Sequence, residues 1–265
     1  MVRMGSQGQR ARHNLYYDLR DACREEGCPI CTVAGRMVAR YLEAVIGESV
    51  NDPPIRDAVT AARGYCNSHS WTLRELNAGL GTAMMYGSVI RHVADSLAIG
   101  PSGSGAFPVV FPASAPRGTG GLRRRLAALV GRSRAVQTIT ARMATALPDP
   151  HRTCPACLVR EKHELTCIDT LLGHIRDTDG ALGAAFEQSS GLCLVHLDQT
   201  IGAARDRAAL ARLLELQQGC MRALGAELAE FIRKHDYRFT AEGMGAEGTS
   251  WQRAIDMVAG KRGMR

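Results

Sequence analysis

Apolar residues recur along most of this chain at intervals of three and four, the period of an α-helix, and nowhere show the strict alternation of a half-buried strand. Leu15, Leu19 and Ala22 predict a short amphipathic helix over residues 14–24. Val33, Met37, Val38, Leu42, Val45 and Ile46 predict a longer one over 32–50, with Pro29 suited to its first turn and Asp52-Pro53-Pro54 stopping it. A short helix over 55–63 follows, with Gly64 as its C-terminal cap. Asn67 is placed to cap a helix carrying His69, Trp71, Leu73 and Leu76, and residues 82–97 form another.

The second half reads the same way. A basic amphipathic helix over 122–147 ends at Pro148-Asp149-Pro150. Pro155 opens a helix to about residue 176, residues 181–188 make a short one, and a third carries His196, Leu197 and Ile201. Leu210, Leu213, Leu214, Cys220, Leu224, Leu228 and Phe231 line one side of a long helix over 208–235, expected to supply core to both halves. After a polar, Gly-rich loop at 240–248, Ser250 caps a last helix with Trp251, Ala254, Ile255 and Val258.

Residues 100–121 are rich in Gly, Pro and Ser and read as a flexible linker. The expected organisation is therefore a first helical module at 1–99, the linker, a second helical module at 122–240, and a C-terminal tail and helix at 241–265. The fold class is all-α. Gly47 and Gly173 match at the same offset as Glu43 and Asp169, and Gly64 and Gly191 at one residue more, which predicts an internal duplication.

The chemistry lies in two sets of cysteines and histidines. Cys28-Pro29-Ile30-Cys31 is followed after 34 residues by Cys66-Asn67-Ser68-His69. Cys154-Pro155-Ala156-Cys157 is followed after 35 residues by Cys193-Leu194-Val195-His196. Three soft thiols and one imidazole make the ligand set of a closed tetrahedral zinc site, so each module is expected to be organised around its own Cys3His centre, with two zinc ions in all. Two alternatives stay open for the Cys-Pro-x-Cys pairs. A dithiol at a helix start is also how thiol oxidoreductases lower a thiol pKa, and three Cys with one His can hold an iron–sulfur cluster. His163, Cys167 and His174 share one helix face, and their role is left open between an extra metal site and a mixed core and surface face. Cys23 and Cys220 have no partner in any such spacing and are expected to pack as small apolar residues. Trp71 is expected to shield the first centre or to pack in the core.

Composition narrows the function classes. Hydrophobic residues make up 45% of the chain, enough for a core, and the aromatic share of 5% suits a helical protein. The formal charge of +7 falls to roughly +5 once six thiolates hold two zinc ions, a weak signal for nucleic acid. Arg123, Arg124, Arg125, Arg132, Arg134 and Arg142 form a basic stretch without interleaved aromatics, which reads as a solvated face. There is no phosphate loop, nucleophile elbow or HExxH motif, and Glu25-Glu26 sits in a turn. The basic, polar N-terminus and the short apolar runs predict neither a signal peptide nor a membrane span. A cytoplasmic location is therefore expected, where paired cysteines serve as ligands or redox groups rather than disulfides.

Four segments carry a resemblance: Gly-Cys-Pro-Ile-Cys from Gly27, Asn-Asp-Pro from Asn51, Gly-Tyr-Cys-Asn-Ser-His-Ser-Trp from Gly64, and Lys-His-Asp-Tyr-Arg-Phe from Lys234. Together they resemble an uncharacterised bacterial family with paired Cys-Pro-x-Cys and Cys-x-x-His motifs. The resemblance reinforces the eight ligands Cys28, Cys31, Cys66, His69, Cys154, Cys157, Cys193 and His196 and implies no activity. The expectation is a non-enzymatic zinc-binding helical protein that works through contact with a protein partner.

Overall fold

The computed structural model describes residues 5–97, 154–177 and 181–263. The expected linker and the basic 122–147 helix lie outside these residues. Among those described there are ten α-helices and no strand. They are α1 (Gly5–Ala22), α2 (Pro29–Gly47), α3 (Pro53–Ala61), α4 (Asn67–Glu75), α5 (Gly79–Leu97), α6 (Pro155–His174), α7 (Ala181–Glu187), α8 (Leu194–Ala203), α9 (Arg207–Lys234) and α10 (Ser250–Ala259). Two short 3-10 turns, Thr240–Glu242 and Ala246–Thr249, occupy the stretch read as a polar loop.

Helices α2 and α6 make the most extensive pair of the fold. Val33 near the start of α2 packs in one core with Ile168, Leu171 and Ile175 from the end of α6. Val38, Leu42, Val45 and Ile46 from the rest of α2 share the other core with Ala156 at the start of α6. The two helices therefore run past each other in opposite directions, and each core takes residues from both halves of the sequence. Leu15, Leu19, Phe186, Leu192, Leu213 and Leu216 complete the first core, and Val59, Tyr65, Leu73, Met85 and Val89 the second.

The long helix departs from expectation. Ala209, Leu213 and Leu216 of α9 enter the first core, and no α9 residue enters the second. The helix lies against α6, α7 and α10, so its apolar side reaches only one end of the α2–α6 pair. Its C-terminal end is locked by the Lys-His-Asp-Tyr-Arg-Phe segment. Arg233 pairs with Glu230 and Glu242 and lies over the Phe239 ring at 4.5 Å. Lys234 Nζ reaches Glu247 at 2.7 Å. The Gly245 N–H and this lysine hold the Glu247 carboxyl down at about 2, which keeps the pair charged through neutral pH. The segment is a clasp that turns the chain from α9 into α10.

Candidate metal centres

Four helix starts build the site, and all use the same local geometry. Cys28, Cys66, Cys154 and Cys193 are the N-cap residues of α2, α4, α6 and α8, each with extended backbone. Cys31, His69, Cys157 and His196 stand three positions further on. Side chains at the N-cap and the third helical position face each other across the first turn, as in a capping box. None of the four N-caps makes a side-chain cap bond, so the free N–H groups and the positive end of each helix dipole face the sulfurs. Cys66, rather than the expected Asn67, caps α4, and Thr249 rather than Ser250 caps α10.

The eight residues assemble into two buried groups, with partners exchanged between the halves. One group is Cys28, Cys31, Cys193 and His196, and the other is Cys66, His69, Cys154 and Cys157, each with ligand atoms within 4.8 Å of one another. The sequential pairing expected above is not the one the fold makes. The reason is helix length. Helix α2 has 19 residues and carries the chain roughly 28 Å from Cys28 before α3 begins. Tyr65 accordingly packs edge-on against Tyr41, near the far end of α2, with centroids 6.5 Å apart. Cys66 thus arrives where the start of α6 comes past, not where α2 began.

The distances fit a metal. Zinc–sulfur bonds of 2.3 Å and zinc–nitrogen bonds of 2.0–2.1 Å at tetrahedral angles require about 3.8 Å between sulfurs and about 3.5 Å between sulfur and nitrogen. In the first group Cys31 and Cys193 Sγ are 3.8 Å apart, and Cys28, Cys31 and Cys193 Sγ lie 3.4, 3.3 and 3.3 Å from His196 Nδ1. In the second, Cys66 and Cys157 Sγ are 3.6 Å apart, and Cys66, Cys154 and Cys157 Sγ lie 3.3, 3.5 and 3.5 Å from His69 Nδ1. These sulfur separations are far beyond the 2.05 Å of a disulfide, and all nine cysteines are free and buried. Electrostatics in the first group also favours a cation. Burial pushes Cys28 far above the usual thiol range, while donation from Cys28 and Cys31 pulls Cys193 far below it. Burial alone would lower the His196 imidazole, but Cys193, Cys31 and Glu164 outweigh it and hold it at about 11. A metal ion would take the place of that proton.

Several supporting residues escaped the sequence reading. His196 Nε2 lies 3.3 Å from Glu164 Oε1, which Arg160 Nε also approaches at 3.3 Å. Glu164 follows Cys157 by seven residues on the stripe that holds Ile168 and Leu171, and a carboxylate on an apolar stripe was the available signal. Gln217 of α9 clamps the backbone entering the Cys193 turn: Leu192 N–H donates to its Oε1 at 2.8 Å, and its Nε2 donates to Leu192 O at 3.0 Å. Gly191 just before adopts φ +73°, and an added Cβ would stand 2.9 Å from the Gln217 amide oxygen. Gln217→Ala is expected to strand two buried backbone groups, costing about 2–4 kcal/mol and lowering the melting midpoint of the metal-loaded protein by roughly 5–12 °C. Calorimetry checks this, and an unchanged midpoint would mean the clamp contributes nothing to stability.

Other candidates separate. Cys167 is fully buried, and burial, with Asp18 and Glu164 nearby, pushes its thiol up to about 12. His174 is half-buried, pairs with Asp177 at 2.6 Å and meets the Tyr16 ring edge-on. Neither they nor His163 join a group of metal-binding geometry among the described residues. Cys23 and Cys220 are buried, as expected. Trp71 is half exposed with the Arg74 guanidinium over its ring at 4.8 Å, so it does not pack in the core. No helix among the described residues is long and apolar enough to cross a membrane.

An all-helical chain with two buried Cys3His groups of metal-binding geometry is, as a class, a helical protein with two candidate metal centres. Residues 15–264 match the family of unknown function DUF6062, and the chain belongs to that family. No curated protein and no solved structure matches it.

Proposed function

We propose that both centres hold zinc as a structural ion, and that the protein is a non-enzymatic, cytoplasmic helical protein acting through its surface on a protein partner. One observation carries the reading: each group is a complete buried set of four ligands, with no position left open for a substrate or a reactive water. Zinc suits it because three thiolates and one imidazole are a donor set of closed structural zinc sites, and zinc has no geometric preference of its own from its d electrons. A centre of three thiolates and one neutral imidazole carries a net charge of about −1 with zinc bound, which the two converging helix N-termini stabilise. The parallel construction of the four helix starts supports an origin by duplication, with the 1–99 and 122–240 segments as its two copies. The redox reading needs an accessible, ionised thiol, and the burial of all nine cysteines weighs against it.

Metal analysis of protein purified anaerobically without added metal tests the reading. Two equivalents of zinc in a colourless sample support it. Iron with a charge-transfer band, or metal-free protein with oxidised Cys-Pro-x-Cys pairs, would replace it.

A further inference from the structure

The two centres share α6 in an uneven way. Its first turn gives Cys154 and Cys157 to the group with Cys66 and His69. Two turns on, the same helix presents Glu164, 7% exposed, to the outer nitrogen of His196 in the other group. A histidine that binds metal through one ring nitrogen is held in tautomer and orientation by the partner of the second nitrogen. Arg160, one turn before Glu164, brings its Nε to 3.3 Å from the same carboxylate oxygen. The position and tilt of α6, fixed at its start by one centre, thereby set how well the other centre's histidine is aimed. The matching positions on α2 are Ala34 and Val38, neither of them a carboxylate.

A second tie runs along the C-terminal segment after α10. Gly260 is buried with φ +80°, and its Cβ position lies 3.5 Å from the sulfurs of both Cys31 and Cys193. Lys261 Nζ donates to Thr32 Oγ1 at 2.7 Å, beside the same centre. Two residues later, Gly263 O accepts from Ser68 Oγ at 2.8 Å, next to His69 of the other centre. Backbone thus spans from one centre to the flank of the other within four residues.

Resting on the metal reading above, we propose that Glu164 is a positioning residue through which occupation of the Cys66/His69/Cys154/Cys157 centre strengthens metal binding at the Cys28/Cys31/Cys193/His196 centre. Load on one centre stiffens α6, α6 fixes Glu164, and Glu164 fixes His196. The coupling is a binding free energy shared between sites and so acts in both directions.

Full-length protein loaded with NMR-active cadmium tests this, because each centre gives its own resonance; the one lost in Cys193→Ser belongs to the centre containing His196. Chelator competition then reads each centre separately. Glu164→Gln should shift that resonance and weaken that centre roughly 10- to 100-fold, leaving the other resonance in place. Emptying the other centre with Cys66→Ser should weaken the His196 centre in the wild-type background, with no further weakening when Glu164→Gln is already present. Additive effects of Glu164→Gln and Cys66→Ser, or no effect of Glu164→Gln on the His196 centre, would overturn the proposal. If Cys66→Ser fails to fold, Glu164→Gln alone still decides: an unshifted His196-centre resonance and an unchanged affinity there would overturn the proposal. Absence of both resonances in the wild type would instead overturn the metal reading.

Discussion

Replacing Cys28 and Cys193 together will cost the protein one equivalent of bound metal, whereas replacing Cys28 and Cys66 together will cost it both. The first pair belongs to a single group in the fold and the second pair is divided between the two. Under sequential pairing the outcomes would be reversed, because Cys28 and Cys66 would share a centre. Native mass spectrometry of the two double variants reads the stoichiometry directly. The comparison is internal: both variants lack Cys28 and differ only in whether the second change damages the same centre. Retention of one metal ion by the Cys28/Cys66 variant and none by the Cys28/Cys193 variant would refute the crossed arrangement.

Stripping the metal will unfold the protein. A structural zinc site contributes on the order of 10–16 kcal/mol, while a whole domain is stable by only about 5–15 kcal/mol. Without metal, each centre would also leave three thiols and an imidazole packed together out of reach of water. Removing both ions should therefore be enough to unfold the chain, whereas removing one should lower the melting midpoint and leave the other centre assembled, with α2 and α6 passing part of the loss to both cores because each helix contributes to both. Far-UV circular dichroism should show a cooperative loss of helix on chelation. Thiol titration should change from slow reaction in the loaded protein to rapid reaction of all nine cysteines. Unchanged helicity and an unchanged melting midpoint after complete metal removal would show that the apolar cores suffice.

The sequence by itself determined the parts of this protein that a single helical turn controls. The 3.6-residue period marked the helices of the described residues to within a few positions, with α1 the main exception, since it begins at Gly5 instead of Asn14. The x-x spacing of Cys28 and Cys31, and of Cys193 and His196, already placed two donors on one side of a helix start, because N-cap and third-position side chains face each other whatever the rest of the chain does. Glycines ahead of Cys66 and Cys193 flagged backbone turns, and both adopt positive φ. Which pair meets which is set by how the helices pack in three dimensions. Each half contains both a Cys-Pro-x-Cys and a Cys-x-x-His, so residue types and spacing are satisfied equally by sequential and crossed assembly. The choice follows from the antiparallel packing of α2 and α6 and from the length of α2, which carries the chain away from Cys28 before Cys66 is reached. The approach of Glu164 to His196 and the one-sided service of α9 arise in the same way. Hydrophobic burial draws apolar faces together without specifying direction or partner, so these pairings emerge only when the helices are packed in three dimensions.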